Sequence, residues 1–462
     1  MKTITRILLS LLICTGFVFA QKETPPPGGK PKDFKLAKKQ TATLKNGLTI
    51  VMVPYGSIPK VTVSVVVRFG NINESEHQVW LADLVGDLMK EGTITRNAKQ
   101  VAEEAAGMGG AVNIGVGEDQ SNFGGDVLSE FGPDFVALLA DVVRNPLLPE
   151  SELARLKNDR VRQITVAKSQ PGSLTQEQFR KLVYGEHPYG RLYPSEEMIK
   201  SFTVGDLKKF YKENVGAQRT TVFVSGKFDA KAMESAVRTA FSSWGKGSAV
   251  YTNPPNPKAK KSFMLVERPG AAQSTINLGL PTINPTDPNY VPLSLTNTLL
   301  GGYFSSRVTS NIREAKGYTY SPFSQISTRY HDAYYMQNAD VTTNVTGPSL
   351  KEIFHEIDSL QSYPPSEAEL DAVKNYLSGS FVLQNSTRGG IMGQLSFLRL
   401  QGLPDSYLTN YVKNVHAVTA KQVQQMAKTY IRPEDMTLVI TGDKEKINKQ
   451  IEEYAKPVVE GK

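Results

Sequence analysis

The sequence predicts an α+β protein built from two related halves. Three observations carry this. Strands and helices come in blocks rather than in strict alternation, which argues for layered α+β domains. The same order of elements runs twice, on either side of Tyr251–Lys261 (YTNPPNPKAKK), a linker by composition. Each half also closes on the same pair of elements: Thr203 opens a helix that leads to the strand Thr221–Gly226, and Thr419 opens one that leads to Thr437–Gly442 at the same spacing. Each threonine is a natural N-cap, since its hydroxyl accepts an otherwise unpaired amide. One such match is unremarkable; the same match at the same place in two halves of like order indicates duplication.

The elements follow in order. Lys2 and Arg6 precede an almost wholly apolar run, Ile7–Ala20, and Val18-Phe19-Ala20 provides a cleavage site before Gln21. This is a secretory signal peptide over 1–20, too short to span a membrane, and no later run is long and apolar enough to span one. The only cysteine, Cys14, lies within it. A lipoprotein reading would acylate Cys14, but Leu12-Ile13 is a poor approach to such a site and the apolar run continues beyond it. The mature chain then has no cysteine and depends on core packing alone in an oxidising compartment, the periplasm. Residues 21–39 are rich in Pro, Gly and Lys and read as a disordered leader. The first domain, 40–250, begins with strand, Asn46-Gly47 turn and strand. The β-branched run Val61–Phe69 follows, then helices near 78–90 and 98–108, paired strands over 111–127, and helices over 131–144, 149–168 and 203–214. After the linker, 251–261, the second domain, 262–455, repeats the pattern: strands at 262–266 and 274–280, helices at 288–300 and 305–315, strands within 319–344, and helices at 348–361 and 366–385. Gly389, Gly390 and Gly393 mark either a flexible joint or a loop between helices.

The formal charge of +8 falls to +6 once Lys2 and Arg6 are removed, and the excess is dispersed. No basic stripe is interleaved with aromatics, which argues against nucleic acid as a partner.

Leu44-Lys45-Asn46-Gly47-Leu48-Thr49, the run Val63–Gly70, Lys90-Glu91-Gly92-Thr93, His187-Pro188-Tyr189-Gly190, Gly301-Gly302-Tyr303-Phe304-Ser305-Ser306-Arg307 and Ile312–Tyr320 together resemble the M16 (insulinase-like, pitrilysin-like) zinc metallopeptidases, in their short bacterial two-domain form. The resemblance covers about residues 40–455. It implies two homologous domains facing each other as a clamshell around a peptide. In the family's catalytic half, a His-x-x-Glu-His helix before a Gly-Thr pair binds zinc and activates water, and a further Glu downstream completes the metal shell. Counted from Gly92-Thr93, the corresponding positions here are Asp83, Gly86 and Asp87, and the downstream one is Gln163. Catalytic zinc takes three His or carboxylate ligands and an open position for water. Two aspartates and an amide make a poor zinc site, and glycine at 86 removes the general base. None of the five histidines (77, 187, 331, 355, 416) has a partner at ligand spacing. Asp83 and Asp87 read as a solvated acidic patch or, alternatively, as oxygen ligands for a hard cation.

The resemblance also implies that Arg313 and Tyr320, at the family's seven-residue spacing, reach the bound peptide from the second half. Arg313 falls on the last turn of a helix and Tyr320 on the following strand. Ser305 or Ser306 serves as an N-cap, Arg307 is a candidate cleft residue, and His187–Gly190 is a structural turn. The expectation is an exported, non-catalytic subunit that binds no metal itself and works as a heterodimer with a second M16 chain carrying zinc. The alternatives are a peptide-binding or scaffold protein without hydrolysis, and an autonomous hydrolase with an altered metal site.

Overall fold

The computed structural model describes residues 34–455; the segment expected to be a signal peptide and most of the expected leader lie outside them. Six strands form the first sheet: β1 (Gln40–Thr43), β2 (Thr49–Pro54), β3 (Lys60–Val67), β4 (Asn113–Val116), β5 (Ser121–Leu128) and β6 (Thr220–Gly226), in the order β1-β2-β6-β3-β5-β4. Five form the second: β7 (Ser262–Glu267), β8 (Gln273–Thr282), β9 (Phe323–Arg329), β10 (Asp332–Thr342) and β11 (Thr437–Gly442), in the order β7-β11-β8-β10-β9. The repeat read from the sequence is a repeat of topology. In each half the closing strand inserts between earlier ones, β6 between β2 and β3 and β11 between β7 and β8, parallel to one neighbour and antiparallel to the other. The helix before it is capped identically: Thr203 pairs reciprocally with Asp206, and Thr419 with Gln422, as capping boxes.

Every residue of β6 and of β11 is buried, which requires cover on both faces of each sheet. One face packs on helices of its own half. The other is covered by a helix from the opposite half. Phe179, Val183 and Tyr184, on the Pro171–Tyr184 helix, pack on Tyr334, Met336 and Val439 of the second sheet. Ile391, Met392, Leu395 and Leu398, on the Arg388–Gln401 helix, pack on Val51, Val53, Val66 and Phe223 of the first. Four buried apolar side chains are worth roughly 6–12 kcal/mol before entropy is charged against them, so this exchange interlocks the halves.

Two expectations change here. Gly389, Gly390 and Gly393 are neither joint nor loop. They lie in the Arg388–Gln401 helix, whose N-cap Thr387 accepts the Gly390 amide at 3.0 Å. Gly390 is held by space, since a Cβ there would stand 1.7 Å from the Gln384 carbonyl oxygen. The leader, expected to be disordered to residue 39, is packed from Phe34 onward. Phe34 meets the edge of Phe381 at 5.1 Å, and Lys39 pairs with Asp405.

Charged groups also cross between the halves. Glu118 accepts from Arg180 at 2.6 Å and, across the halves, from Arg329 at 2.5 Å. Burial opposes the charge on Glu118, but the two guanidinium groups outweigh it and hold its carboxyl below the usual range. Tyr189 is buried and donates to Asp119 at 2.5 Å, and His187 caps the turn Pro188–Gly190, so His187–Gly190 is a structural turn.

Candidate functional site

The helix Leu81–Met89 buries Leu81, Leu84, Val85, Leu88 and Met89 against the first core. Its N-terminus is satisfied from a distance: the buried Glu74 carboxyl accepts the amides of Trp80 (3.1 Å) and Ala82 (2.8 Å). Burial pushes Glu74 up to about 8. The opposite face carries Asp83, Gly86 and Asp87.

These positions converge with Gln163, but around a side chain that the sequence reading did not single out. Arg160, on the Glu150–Ser169 helix, places Nη2 2.5 Å and Nε 2.7 Å from Asp87 Oδ2, and Nη1 3.3 Å from Asp83 Oδ1. Nη1 also donates to Gln163 Oε1 at 3.2 Å, and the guanidinium stands 5.5 Å from the Trp80 ring centre. Asn71 donates to the other Asp83 oxygen at 2.7 Å. Burial raises the Asp83 carboxyl above its ordinary value, with Arg160 opposing. The aspartates are thus neither a solvated patch nor an open cation site. Their side chains are 19% and 18% exposed, and a guanidinium neutralises them. The available signal was one helical turn: Arg160 precedes Gln163 by three residues and shares its face.

This donor set does not fit a catalytic zinc ion. Both carboxylates are committed to a fixed positive charge that would repel a divalent metal. The base position has no side chain, and a Cβ on Gly86 would stand 2.4 Å from Val116 Cγ2 of β4. Beside this helix, β4 pairs only with β5 among the described residues, which leaves its outer edge without a partner strand there.

In the second half, Arg313 and Tyr320 are together. The Arg313 guanidinium lies 4.8 Å from the Tyr320 ring centre and 4.5 Å from that of Phe304, with Glu314 3.1 Å away. Phe304, Tyr320 and Phe323 are 62%, 78% and 42% exposed, large values for aromatic rings. Arg313 lies on the last turn of its helix, Thr309–Ala315, as expected. Tyr320 is not on a strand. Gly317 turns the chain at positive φ, Thr319 bridges Val341, and β9 begins only at Phe323. Ser306 is the cap, accepting the Thr309 amide. Arg307 is no free cleft cation, because Glu369 binds it at 2.6 and 2.9 Å.

The duplicated α+β shell is that of a peptidase-like protein. Residues 50–193 match the insulinase (peptidase family M16) domain, and residues 201–377 match the peptidase M16 inactive domain. An uncharacterized zinc protease of Bacillus subtilis, YmxG, is 24% identical over 84% of this chain and 94% of its own length. An uncharacterized zinc protease of Rickettsia felis is 26% identical over 76% and 84%. Among solved structures, a peptidase M16 inactive domain from Pseudomonas fluorescens superposes with TM-score 0.80 at 26% identity, covering 88% of this chain and 98% of its own. A protease from Helicobacter pylori shares the fold with TM-score 0.83 at 20% identity, covering 88% and 100%. The chain belongs to the M16 peptidase family.

Proposed function

We propose that the chain is the non-catalytic subunit of an exported M16 peptidase pair, completing the chamber and holding peptide for a zinc-bearing partner chain. The observation that carries this is the contrast between the halves. Arg160 neutralises the motif helix of the first, whereas Arg313 and Tyr320 of the second keep hydrogen-bond donors without a buried acceptor among the described residues. The same ion pair weighs against the autonomous hydrolase.

The Phe304 and Tyr320 rings flank the Arg313 guanidinium and limit its orientation. Its remaining N–H groups and the Tyr320 hydroxyl donate to a peptide carbonyl, and more strongly to the oxyanion formed on attack. The exposed aromatic rings supply apolar contact for peptide side chains. The unpaired edge of β4 offers backbone groups to an extended peptide. Metal chemistry falls to the partner. No helix among the described residues is long and apolar enough to cross a membrane.

The test is peptide cleavage by this chain mixed with an M16 chain that carries the intact zinc motif. Tyr320→Phe and Arg313→Ala should each lower kcat of the mixture by about 10²-fold, the cost of one oxyanion donor, while the unfolding midpoint of the chain stays put. If neither substitution changes turnover, the assignment of these two residues is wrong.

A further inference from the structure

Elsewhere in this chain several buried or half-buried arginines are matched to carboxylates, Arg160 to Asp83 and Asp87, Arg180 and Arg329 to Glu118, and Arg307 to Glu369, while Arg144, Arg191 and Arg268 stand singly on neutral acceptors. In one place three arginines without a carboxylate partner stand together. Between the first sheet and the Arg388–Gln401 helix lies a cavity of about 330 Å3 whose lining includes Arg68, Arg219 and Arg399. None of the three forms an ion pair among the described residues.

Each has its own reason to be there. Arg68 follows β3 and lies over the Tyr330 ring, 4.5 Å from its centre. Its Nε is buried with no hydrogen-bond partner. Arg219 precedes β6 and is only 6% exposed. Its acceptors are all neutral: Ser248 O at 3.1 Å, Arg68 O at 3.3 Å and Asn214 Oδ1 at 3.3 Å. Arg399 reaches across from the other half and donates to Thr221 Oγ1 at 2.7 Å and Thr49 Oγ1 at 2.6 Å, again neutral. The nearby carboxylates are engaged elsewhere, Glu118 by Arg180 and Arg329, and Asp119 by Tyr189 and Tyr330. Burial, and then the charge of Arg68, lowers the affinity of both Arg219 and Arg399 for their protons. Asp119 feels the charge of Arg68 without pairing with it, and three guanidinium groups with no carboxylate in contact are costly in a half-enclosed polar cavity, to which a buried donor without an acceptor adds. Gln120, Thr221 and Ser396 also line the cavity, with Gln120 donating to Ser396 at 2.8 Å.

We propose that this cavity is an anion site for a phosphate dianion, free or as a phosphate monoester, held by Arg68 and Arg219 of the first half and Arg399 of the second. Planar guanidinium forks suit the oxygens of a phosphate, which accept several charge-assisted hydrogen bonds at once. The cavity is larger than a bare phosphate needs, leaving room for the group an ester carries. Because the ligand touches both halves, its binding ties them together.

The test is calorimetric titration of the mature chain at about 0.15 M salt with inorganic phosphate, with phenyl phosphate as the ester, and with acetate. The expected result is saturable binding at one site per chain for at least one phosphate species, with a raised unfolding midpoint and no comparable binding of acetate. Tighter binding of phenyl phosphate identifies an ester as the ligand class, and tighter binding of inorganic phosphate identifies the free ion. Arg68→Gln should weaken binding by roughly tenfold or more, the loss expected for charged hydrogen bonds. Arg399→Gln, at an exposed position where folding is less at risk, should do the same. Arg162→Gln, a solvent-exposed arginine on another helix, should change nothing. The proposal is overturned if neither phosphate species saturates, if acetate binds as tightly, or if both Arg68→Gln and Arg399→Gln bind like the unaltered chain.

Discussion

Replacing Arg160 with alanine removes the guanidinium from between two carboxylates that are each less than one-fifth exposed. Three contacts to carboxylates disappear, 2.5 and 2.7 Å to Asp87 and 3.3 Å to Asp83, together with bonds to Gln163 at 3.2 Å and to the Asp83 carbonyl at 3.4 Å. A charge-assisted hydrogen bond is worth about 1.5–3 kcal/mol on removal. Breaking a fully buried pair costs about 3–5 kcal/mol. Residual exposure and the water that enters the vacated space pull the figure down, so the expected loss is about 2–4 kcal/mol at pH 7. Part of it is packing against Trp80, and Arg160→Met, which keeps the aliphatic stem, separates packing from charge. The remainder is electrostatic, so adding Asp83→Asn and Asp87→Asn to Arg160→Ala should return most of it. Urea unfolding of the four proteins under one buffer gives the comparison. A loss below about 0.5 kcal/mol for Arg160→Ala, or no recovery in the triple variant, would refute the claim that the arginine holds this site together.

The remaining predictions concern other layers of the fold. Gly86→Ala gains about 1 kcal/mol of helix propensity but sets a Cβ 2.4 Å from Val116 Cγ2. Overpacking costs about 1–3 kcal/mol, so the substitution should be neutral to destabilising alone and stabilising in a Val116→Ala background, as a double-mutant cycle reads out. Leu398→Ala, on the helix that the second half lends to the first sheet, should cost about 2–5 kcal/mol in chemical unfolding. Glu74 supplies a pH dependence. Its folded carboxyl stands at about 8 against 4.5 for an ordinary glutamate, so the folded chain keeps a proton that the unfolded chain releases. Its contribution is whole below about pH 4.5 and declines as pH rises toward 8, by at most about 1.4 kcal/mol per unit. Glu74→Gln should flatten that slope in unfolding measured from pH 5 to 8; an unchanged slope places the titration elsewhere.

The α+β class, the duplication and the capped closing helices were legible because they depend on local signals: β-branched runs, threonine caps, and a linker of Pro, Asn and Lys. The lent helices were not. Pro171–Tyr184 went unread, and in Arg388–Gln401 the glycines Gly389, Gly390 and Gly393 read as breakers. Their helicity is settled by tertiary packing, which puts Ile391, Leu395 and Leu398 against the first sheet. The convergence of Asp83, Asp87 and Gln163 was legible from the family's spacing. What fills the space between them was not, because Arg160 reads locally as one more charge on a solvated helix. Arg68, Arg219 and Arg399 were invisible for a related reason: their lack of carboxylate partners emerges only when distant segments are brought together.

The central claim is that this chain lends its second half to chemistry its first half cannot perform. The most direct measurement is zinc content and peptide cleavage by the purified chain alone, beside the same chain mixed with a zinc-motif M16 partner. The account predicts no stoichiometric zinc and no chelator-sensitive cleavage by the lone chain, with turnover in the mixture above that of the partner alone. Stoichiometric zinc together with chelator-sensitive cleavage by the lone chain would contradict it.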